Sequence, residues 1–118
     1  MISGVVVDIV EIQRIYILYD KFKDALPRKI LSLEELTIFY KTSNRIGYIA
    51  KRFAAKEAVS KALGLGIGLI GFRNIEILND DFGKPFVKLH HHKLNFSSIA
   101  ISISDERNYV VAFAIIEQ

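Results

Sequence analysis

The chain has 118 residues, of which 51% are hydrophobic, and a net charge of +3 from 16 basic and 13 acidic side chains. This length fits a single domain over residues 1–118, and so high an apolar fraction favours burial of part of the surface between subunits. The absence of cysteine excludes disulfides, a thiol nucleophile and cysteine-ligated zinc, and the small positive charge suits an acidic or phosphorylated partner without indicating nucleic acid.

The first predicted element is a strand over residues 2–12. Residues 5–10 are apolar on both faces except for Asp8, a pattern typical of a strand that is buried on both sides. Because Asp8 and Glu11 interrupt this apolar start and no basic leader precedes it, we expect neither a signal peptide nor a membrane-spanning helix. We therefore expect a cytoplasmic protein.

Two helices are predicted next. The first is short and covers residues 13–22, and a break is expected at Pro27. Ser32 and Glu35 have the spacing of a capping box, which predicts the second helix over residues 33–41.

A long helix follows, between N-cap candidates at residues 42–44 and Gly64, which can adopt the left-handed conformation that ends a helix. At about 100° per residue, Glu57 lies on the stripe that should pack against the core, and Lys61 follows one turn later. A buried charge costs several kcal/mol unless it is compensated, so Glu57 needs a partner. Asp8 is the best candidate, because two carboxylates in apolar elements could share a cation.

Magnesium is the ion that suits this pair of carboxylates. Mg²⁺ takes one or two protein carboxylates and completes its octahedron with water and substrate phosphate oxygens. The alternative is that Asp8 and Glu57 each have an ordinary salt-bridge partner. Lys61 could likewise form a helix ion pair with Glu57 or contact phosphate oxygens beside the metal, and spacing alone does not decide between these roles.

Three glycines, Gly64, Gly66 and Gly68, come after the long helix and do not open one. This order excludes a dinucleotide fingerprint or a phosphate loop, both of which lie between a strand and the helix that it precedes. The glycines are either a helix cap with a flexible turn or a place where backbone amides approach a phosphate or a pantetheine arm closely.

The second half of the chain changes to strand periodicity. Four strands are predicted, with a turn between the first two, at residues 74–78, 85–89, 98–104 and 109–116. The predicted fold class is α+β, with one strand, then helices, then an antiparallel meander, and with the sheet packed against the long helix.

Two polar segments have simple interpretations. His90, His91 and His92 follow one another in a loop, where neighbouring side chains diverge, so we interpret them as a solvated loop and not as a zinc site. A basic stretch is either a solvated face or a docking site for an acidic protein. It consists of Arg14, Lys21, Lys23, Arg28 and Lys29.

Five segments together resemble one family. They are VVVDIVEI at residues 5–12, RFAAKEAVSKALG at 52–64, GIG at 66–68, GKP at 83–85 and SISD at 102–105. In this order they are similar to holo-acyl-carrier-protein synthase, the short bacterial type of 4′-phosphopantetheinyl transferase. The resemblance covers nearly the whole chain.

The resemblance implies an enzyme of fatty acid biosynthesis that transfers 4′-phosphopantetheine from coenzyme A to a serine of apo-acyl carrier protein and leaves adenosine 3′,5′-bisphosphate. It implies that Asp8 and Glu57 bind Mg²⁺ and that Lys61 lies at the phosphates. Glu57, directly or through a metal-bound water, is the candidate base. It also implies a homotrimer with active sites in clefts between neighbouring subunits.

The resemblance further implies that Arg14 meets the acidic carrier protein. The residues that it implies for coenzyme A binding are Lys61, Gly64, Gly66, Lys84 and Pro85. Some members of the family carry histidine where this chain has Asp105, which leaves a catalytic role of Asp105 in doubt. The segment at residues 90–97 looks short, so a helix common at that point in the family is expected to be missing or reduced.

A function of another class stays open, namely a noncatalytic module that binds a phosphorylated ligand or RNA. The chain lacks the interleaved basic and aromatic positions expected on an RNA-binding strand face, so we expect no nucleic-acid partner. A purely structural trimer would leave the carboxylates of Asp8 and Glu57 unexplained.

Overall fold

The computed structural model describes residues 1–90 and 98–118 and confirms the α+β class. The elements of the described residues, in chain order, are β1 (Ile2–Glu11), α1 (Ile12–Phe22), α2 (Ala25–Ile30), α3 (Leu33–Lys41), α4 (Arg45–Ala62), α5 (Ile67–Ile70), a 3₁₀ turn (Phe72–Asn74), β2 (Ile75–Asn79), β3 (Pro85–Leu89), β4 (Ser98–Asp105) and β5 (Tyr109–Glu117). Each strand and helix predicted from the sequence is present.

The helix ends follow the predicted local chemistry. The capping box of α3 is complete, because Ser32 Oγ accepts from the Glu35 N–H at 3.2 Å and the Ser32 N–H donates to Glu35 Oε1 at 2.8 Å. Asn44 is the N-cap of α4 and accepts from the Gly47 N–H. Gly64 follows α4 with φ +78°, the left-handed conformation that it was predicted to supply.

Two local predictions are wrong. Pro27 does not break the chain but lies inside the short helix α2, near its start, where a helix does not need the missing N–H. The chain changes direction instead at Lys23, which has φ 50°. The glycines after α4 do not form only a flexible turn, because the short helix α5 begins directly after Gly66.

The strands form two antiparallel sheets. The larger has the order β1-β5-β4, so the first strand pairs with the last, and β2 pairs with β3 in a separate hairpin. The predicted continuous meander is therefore wrong in this respect. Helix α4 packs on one face of the three-stranded sheet through fully buried small residues, which include Ala50, Ala54 and Ala58.

The opposite face of β1 is exposed in the single chain, so the prediction of burial on both sides is wrong for one copy of the protein. Val5, Val7 and Ile9 are 53%, 58% and 62% exposed, and Phe113 of β5, which pairs with Val7, is 39% exposed. We call these four residues the outer sheet face. Within the described part of the chain, none of the helices has the length and apolar character needed to cross a membrane.

Gly4 allows β1 and the end of α4 to approach each other. A Cβ atom at this position would lie 2.1 Å from the carbonyl oxygen of Ala62. Gly4→Ala is therefore expected to lower the free energy of unfolding by about 3 kcal/mol, the upper part of the usual range for overpacking. Gly68→Ala, in open space on α5, is the control and is expected to leave stability unchanged. Equal melting temperatures of the two variants would contradict the close approach.

Candidate active site

The predicted carboxylate of Asp8 lies on the inner face of β1 and pairs with a cation from α4. Lys61 Nζ donates to Asp8 Oδ1 at 2.9 Å, and the Asp8 side chain is only 12% exposed. This hydrogen bond raises the pKa of Lys61. Of the two roles considered for Lys61, an ion pair is present, but its partner is Asp8 and not Glu57. The Lys61 side chain is 54% exposed, so its ammonium group is open to a ligand.

Glu57 lies close to the same pair, at the edge of the core. Burial raises the pKa of Glu57, and so does the negative charge of Asp8, while Lys61 and Arg14 act in the opposite direction. The fold therefore brings together two carboxylates and two cations from β1, α1 and α4. Asp8 and Glu57 repel each other, and a cation bound between them would offset this repulsion.

Arg14 is exposed on α1 and lies beside this centre. Its guanidinium Cζ is 5.9 Å from the centre of the Phe53 ring, which holds the side chain over α4. Phe53 also lines an apolar hollow of about 280 Å³ between α1 and α2, together with Leu18, Phe22 and Phe72. The rest of the predicted basic stretch is exposed on the same two helices or the link between them.

Gly64 and Gly66 follow Lys61 directly beyond the end of α4. Only Gly64 has a backbone conformation that favours glycine, and a Cβ there would meet no other atom within 4 Å. The open space beside Gly64 is compatible with a ligand that reaches Lys61. The Gly66 carbonyl oxygen accepts hydrogen bonds from the Leu69 and Ile70 N–H groups, and α5 begins at the next residue.

Lys84 and Pro85 do not lie with Asp8 and Glu57 in the single chain. Pro85 lines a separate cavity of about 430 Å³ beside the first half of α4, together with Lys51 and Asp105. Lys51 precedes Lys61 by ten residues, which corresponds to about 15 Å along a helix axis. Lys84 is exposed next to this cavity but is not among its lining residues.

The cavity contains polar groups to which sequence reasoning assigned no role. Arg52, which is 5% exposed, donates to Asn79 Oδ1 at 2.6 Å, and its Cζ lies 4.4 Å from the centre of the Tyr48 ring. Within the described residues, neither Arg52 Nε nor Tyr48 Oη makes a hydrogen bond of good geometry, although the charge of Arg52 acts on the Tyr48 hydroxyl and opposes the rise of its pKa. Burial raises the pKa of Tyr48 to about 12. Arg52 could have been singled out in the sequence, because it begins the segment at residues 52–64 that resembles the family. Its partner Asn79 could not, because it lies 27 residues away.

Asp105 lies in this cavity, with Oδ1 3.6 Å from Lys51 Nζ. Two of the three histidines, His91 and His92, lie outside the described residues. The same holds for the rest of residues 91–97, where a helix was expected to be missing or reduced. His90 Nε2 lies 3.3 Å from Glu76 Oε1. Within residues 1–90 and 98–118, no three or more histidine or acidic side chains cluster around a possible metal position.

Comparison with known proteins agrees with this fold. A family model described as the 4′-phosphopantetheinyl transferase superfamily matches residues 4–114. A holo-[acyl-carrier-protein] synthase from Shewanella amazonensis is 47% identical, and the match covers 98% of each chain. The crystal structure of the synthase from Neisseria meningitidis has a TM-score of 0.91 at 40% identity and full coverage of both chains. A Bacillus anthracis synthase in complex with coenzyme A (3′,5′-ADP) has a TM-score of 0.86 at 36% identity, covering 100% of this chain and 98% of the other.

The chain therefore belongs to the 4′-phosphopantetheinyl transferase superfamily. Its curated relatives of nearly equal length are holo-[acyl-carrier-protein] synthases, at 41% to 47% identity, and the chain is an enzyme of that kind. The noncatalytic binding module considered from the sequence is not retained, because the family is one of transferases.

Proposed function

We propose that this enzyme transfers 4′-phosphopantetheine from coenzyme A to a serine hydroxyl of an acidic apo-acyl carrier protein, releases adenosine 3′,5′-bisphosphate and thereby serves fatty acid biosynthesis. The observation that carries the proposal is the meeting of Asp8, Glu57 and Lys61, from two distant segments of the chain, at one partly exposed point. The B. anthracis relative bound to coenzyme A supports the identity of the donor.

Asp8 and Glu57 are the proposed ligands of Mg²⁺. Among the residues that the structure describes, no group of three or more acidic or histidine side chains could hold a metal ion, and two carboxylates suit Mg²⁺, which keeps several positions for water and phosphate oxygens. Bound Mg²⁺ would withdraw charge from the pyrophosphate oxygens of coenzyme A. The raised pKa of Glu57, which is caused by burial and by the charge of Asp8, is consistent with two carboxylates that repel each other.

Lys61 and Glu57 have separate roles in the proposed transfer. The exposed ammonium group of Lys61 can move from Asp8 to a phosphate oxygen, where it would offset charge as the bridging bond breaks. Glu57 would take the serine proton, directly or through a water molecule. Because a carboxylate that binds a metal ion is a poor base, we propose the water molecule as the intermediary.

The cavity beside the first half of α4 is the proposed site for the nucleotide end of coenzyme A. Lys51 and Arg52 supply positive charge, and Pro85 supplies an apolar wall. Because this cavity is separate from Asp8 and Glu57 in one chain, we propose that a neighbouring copy brings its cavity to the Asp8 centre. Gly64, Gly66 and Lys84 would contact the same donor.

The outer sheet face is the proposed contact between copies, in a homotrimer. Val5, Val7, Ile9 and Phe113 present apolar side chains to solvent on one continuous surface of two paired strands. An exposed apolar patch of this kind marks an interaction surface, and the high apolar fraction of the chain agrees with it. A trimer would supply the neighbouring cavity that the transfer site needs.

Arg14 is proposed to dock the acidic carrier protein, beside the apolar hollow between α1 and α2. We expect Arg14→Gln to raise the KM for apo-carrier protein about tenfold, the equivalent of one lost charge interaction of about 1.4 kcal/mol. The KM should also become less dependent on salt. Lys41→Gln removes an exposed charge from α3 and is the control. An unchanged KM for apo-carrier protein in Arg14→Gln would contradict the proposal that Arg14 docks the carrier protein.

The reaction and its metal are tested together by product analysis. The protein is incubated with coenzyme A and apo-carrier protein, and adenosine 3′,5′-bisphosphate is quantified by chromatography. We expect its formation to stop when EDTA removes divalent cations and to return when Mg²⁺ is added in excess. Formation that continues unchanged in EDTA would exclude the metal role, and no formation under any condition would exclude the transferase.

A further inference from the structure

Lys56, the residue before Glu57, is fully buried and makes three hydrogen bonds. Its Nζ donates to Glu35 Oε1 at 2.5 Å, to the Ile30 carbonyl at 2.6 Å and to the Phe72 carbonyl at 3.1 Å. An ammonium group has three hydrogens, so each one has an acceptor. One side chain of α4 is thus attached to the end of α2, to α3 and to the 3₁₀ turn.

Glu35 is held as firmly as its partner. Its Oε1 also accepts from the Ser32 N–H at 2.8 Å, and its Oε2 accepts from the Ile77 N–H of β2 at 2.8 Å. Burial lowers the pKa of Lys56, and the charge of Glu35 opposes this. A buried ion pair is a weak source of stability, because two ions must lose their water, so its presence calls for a role in fixing one arrangement.

The buried face of α4 combines small and branched apolar side chains. Ala50, Ala54 and Ala58 are fully buried, and so are the larger Ile49 and Val59. Short side chains form low ridges, which interlock weakly with the grooves of a neighbour. Hydrogen bonds at the tip of a long side chain therefore add a constraint on the rotation of the helix beyond that of its apolar packing.

We infer that Lys56, held by Glu35, is a positioning residue that sets the rotation of α4 and so places the Glu57 carboxylate beside Asp8. The inference rests on the proposed function of Glu57. A side-chain tip lies about 6 Å from a helix axis, so a rotation of 20° moves it about 2 Å. A displacement of about 1 Å at a reacting centre can cost about 10²-fold in rate.

The test is the double variant Lys56→Met/Glu35→Gln. It removes both charges together, so no uncompensated ion stays in the core, and the single amide oxygen of the glutamine can still accept from either the Ser32 N–H or the Ile77 N–H. We expect a folded protein whose kcat for transfer falls about 10²-fold while the KM for coenzyme A stays within about twofold. A second readout is Mn²⁺ binding without substrates, followed by electron paramagnetic resonance, which should weaken about tenfold.

A purely structural role would lower the melting temperature and leave kcat per folded molecule and Mn²⁺ affinity unchanged, and that result would overturn the inference. If the double variant does not fold, Glu35→Asp is measured, because it keeps both charges but shortens the side chain whose carboxylate holds Lys56. A wild-type kcat in the folded Glu35→Asp protein would likewise overturn the inference. An inactive wild-type protein would instead refute the proposed function, so the two failures are distinguishable. Lys41→Met, on the exposed side of α3, is the control substitution.

Discussion

Glu57→Gln is expected to lower the rate of phosphopantetheine transfer about 10³-fold, the usual effect of removing one electrostatic group from a reacting centre. The amide is a poorer ligand for a divalent cation and cannot take the serine proton. The same change should leave the melting temperature equal to or slightly above that of the wild type. The reason is that burial and Asp8 raise the pKa of Glu57, so that its ionised form opposes folding at neutral pH.

A matched substitution separates the role of Glu57 from a general effect of charge. Glu34 is an exposed glutamate on α3, and Glu34→Gln should keep the wild-type rate. The measurements are initial rates at saturating coenzyme A and melting curves of both variants. A Glu57→Gln protein that transfers at the wild-type rate would remove Glu57 from the reacting centre.

Val7→Asp on the outer sheet face is expected to abolish association and, with it, activity. A carboxylate cannot be buried between apolar surfaces without a partner, so copies that meet through this face should separate. Because the cavity of a neighbour would then be missing, we expect the rate to fall at least about 10²-fold, as for loss of substrate positioning. Size-exclusion chromatography with light scattering should find a folded monomer for Val7→Asp and a trimer for the wild type.

Leu33→Asp is the control for this change. Leu33 is 75% exposed on α3, outside the outer sheet face, and its replacement should alter neither association nor rate. A Val7→Asp protein that stays associated, or a monomeric Val7→Asp protein with full activity, would show that the outer sheet face does not complete the site.

Local signals in the sequence predicted most of the fold. Ser32 and Glu35 specify a helix start within four residues, and Gly64 specifies a helix end, because both act through short-range hydrogen bonds and backbone sterics. Strand order was not accessible in this way. The pairing of β1 with β5 depends on which apolar strands meet in three dimensions, and the alternating pattern of each strand is the same whichever partner it has.

The candidate site was predicted where an apolar pattern was interrupted. Asp8 and Glu57 stood out because charges are rare in such segments, and the fold brings them close together. Lys56 did not stand out from its polar and apolar neighbours, and its partner Glu35 was interpreted only as part of a helix cap. Val5, Val7 and Ile9 were correctly seen as apolar on the second face of β1, but a sequence pattern cannot say whether another layer of the same chain or another copy covers them.

The transfer reaction is tested most directly by the intact mass of an apo-acyl carrier protein after incubation with this enzyme, coenzyme A and Mg²⁺. We predict a gain equal to one 4′-phosphopantetheine group, located on a serine by fragmentation, and a negligible gain over the same incubation time when Glu57→Gln replaces the wild type. An unchanged carrier mass with folded wild-type enzyme, or an equal gain with Glu57→Gln, would contradict the assignment of this reaction to the centre formed by Asp8, Glu57 and Lys61.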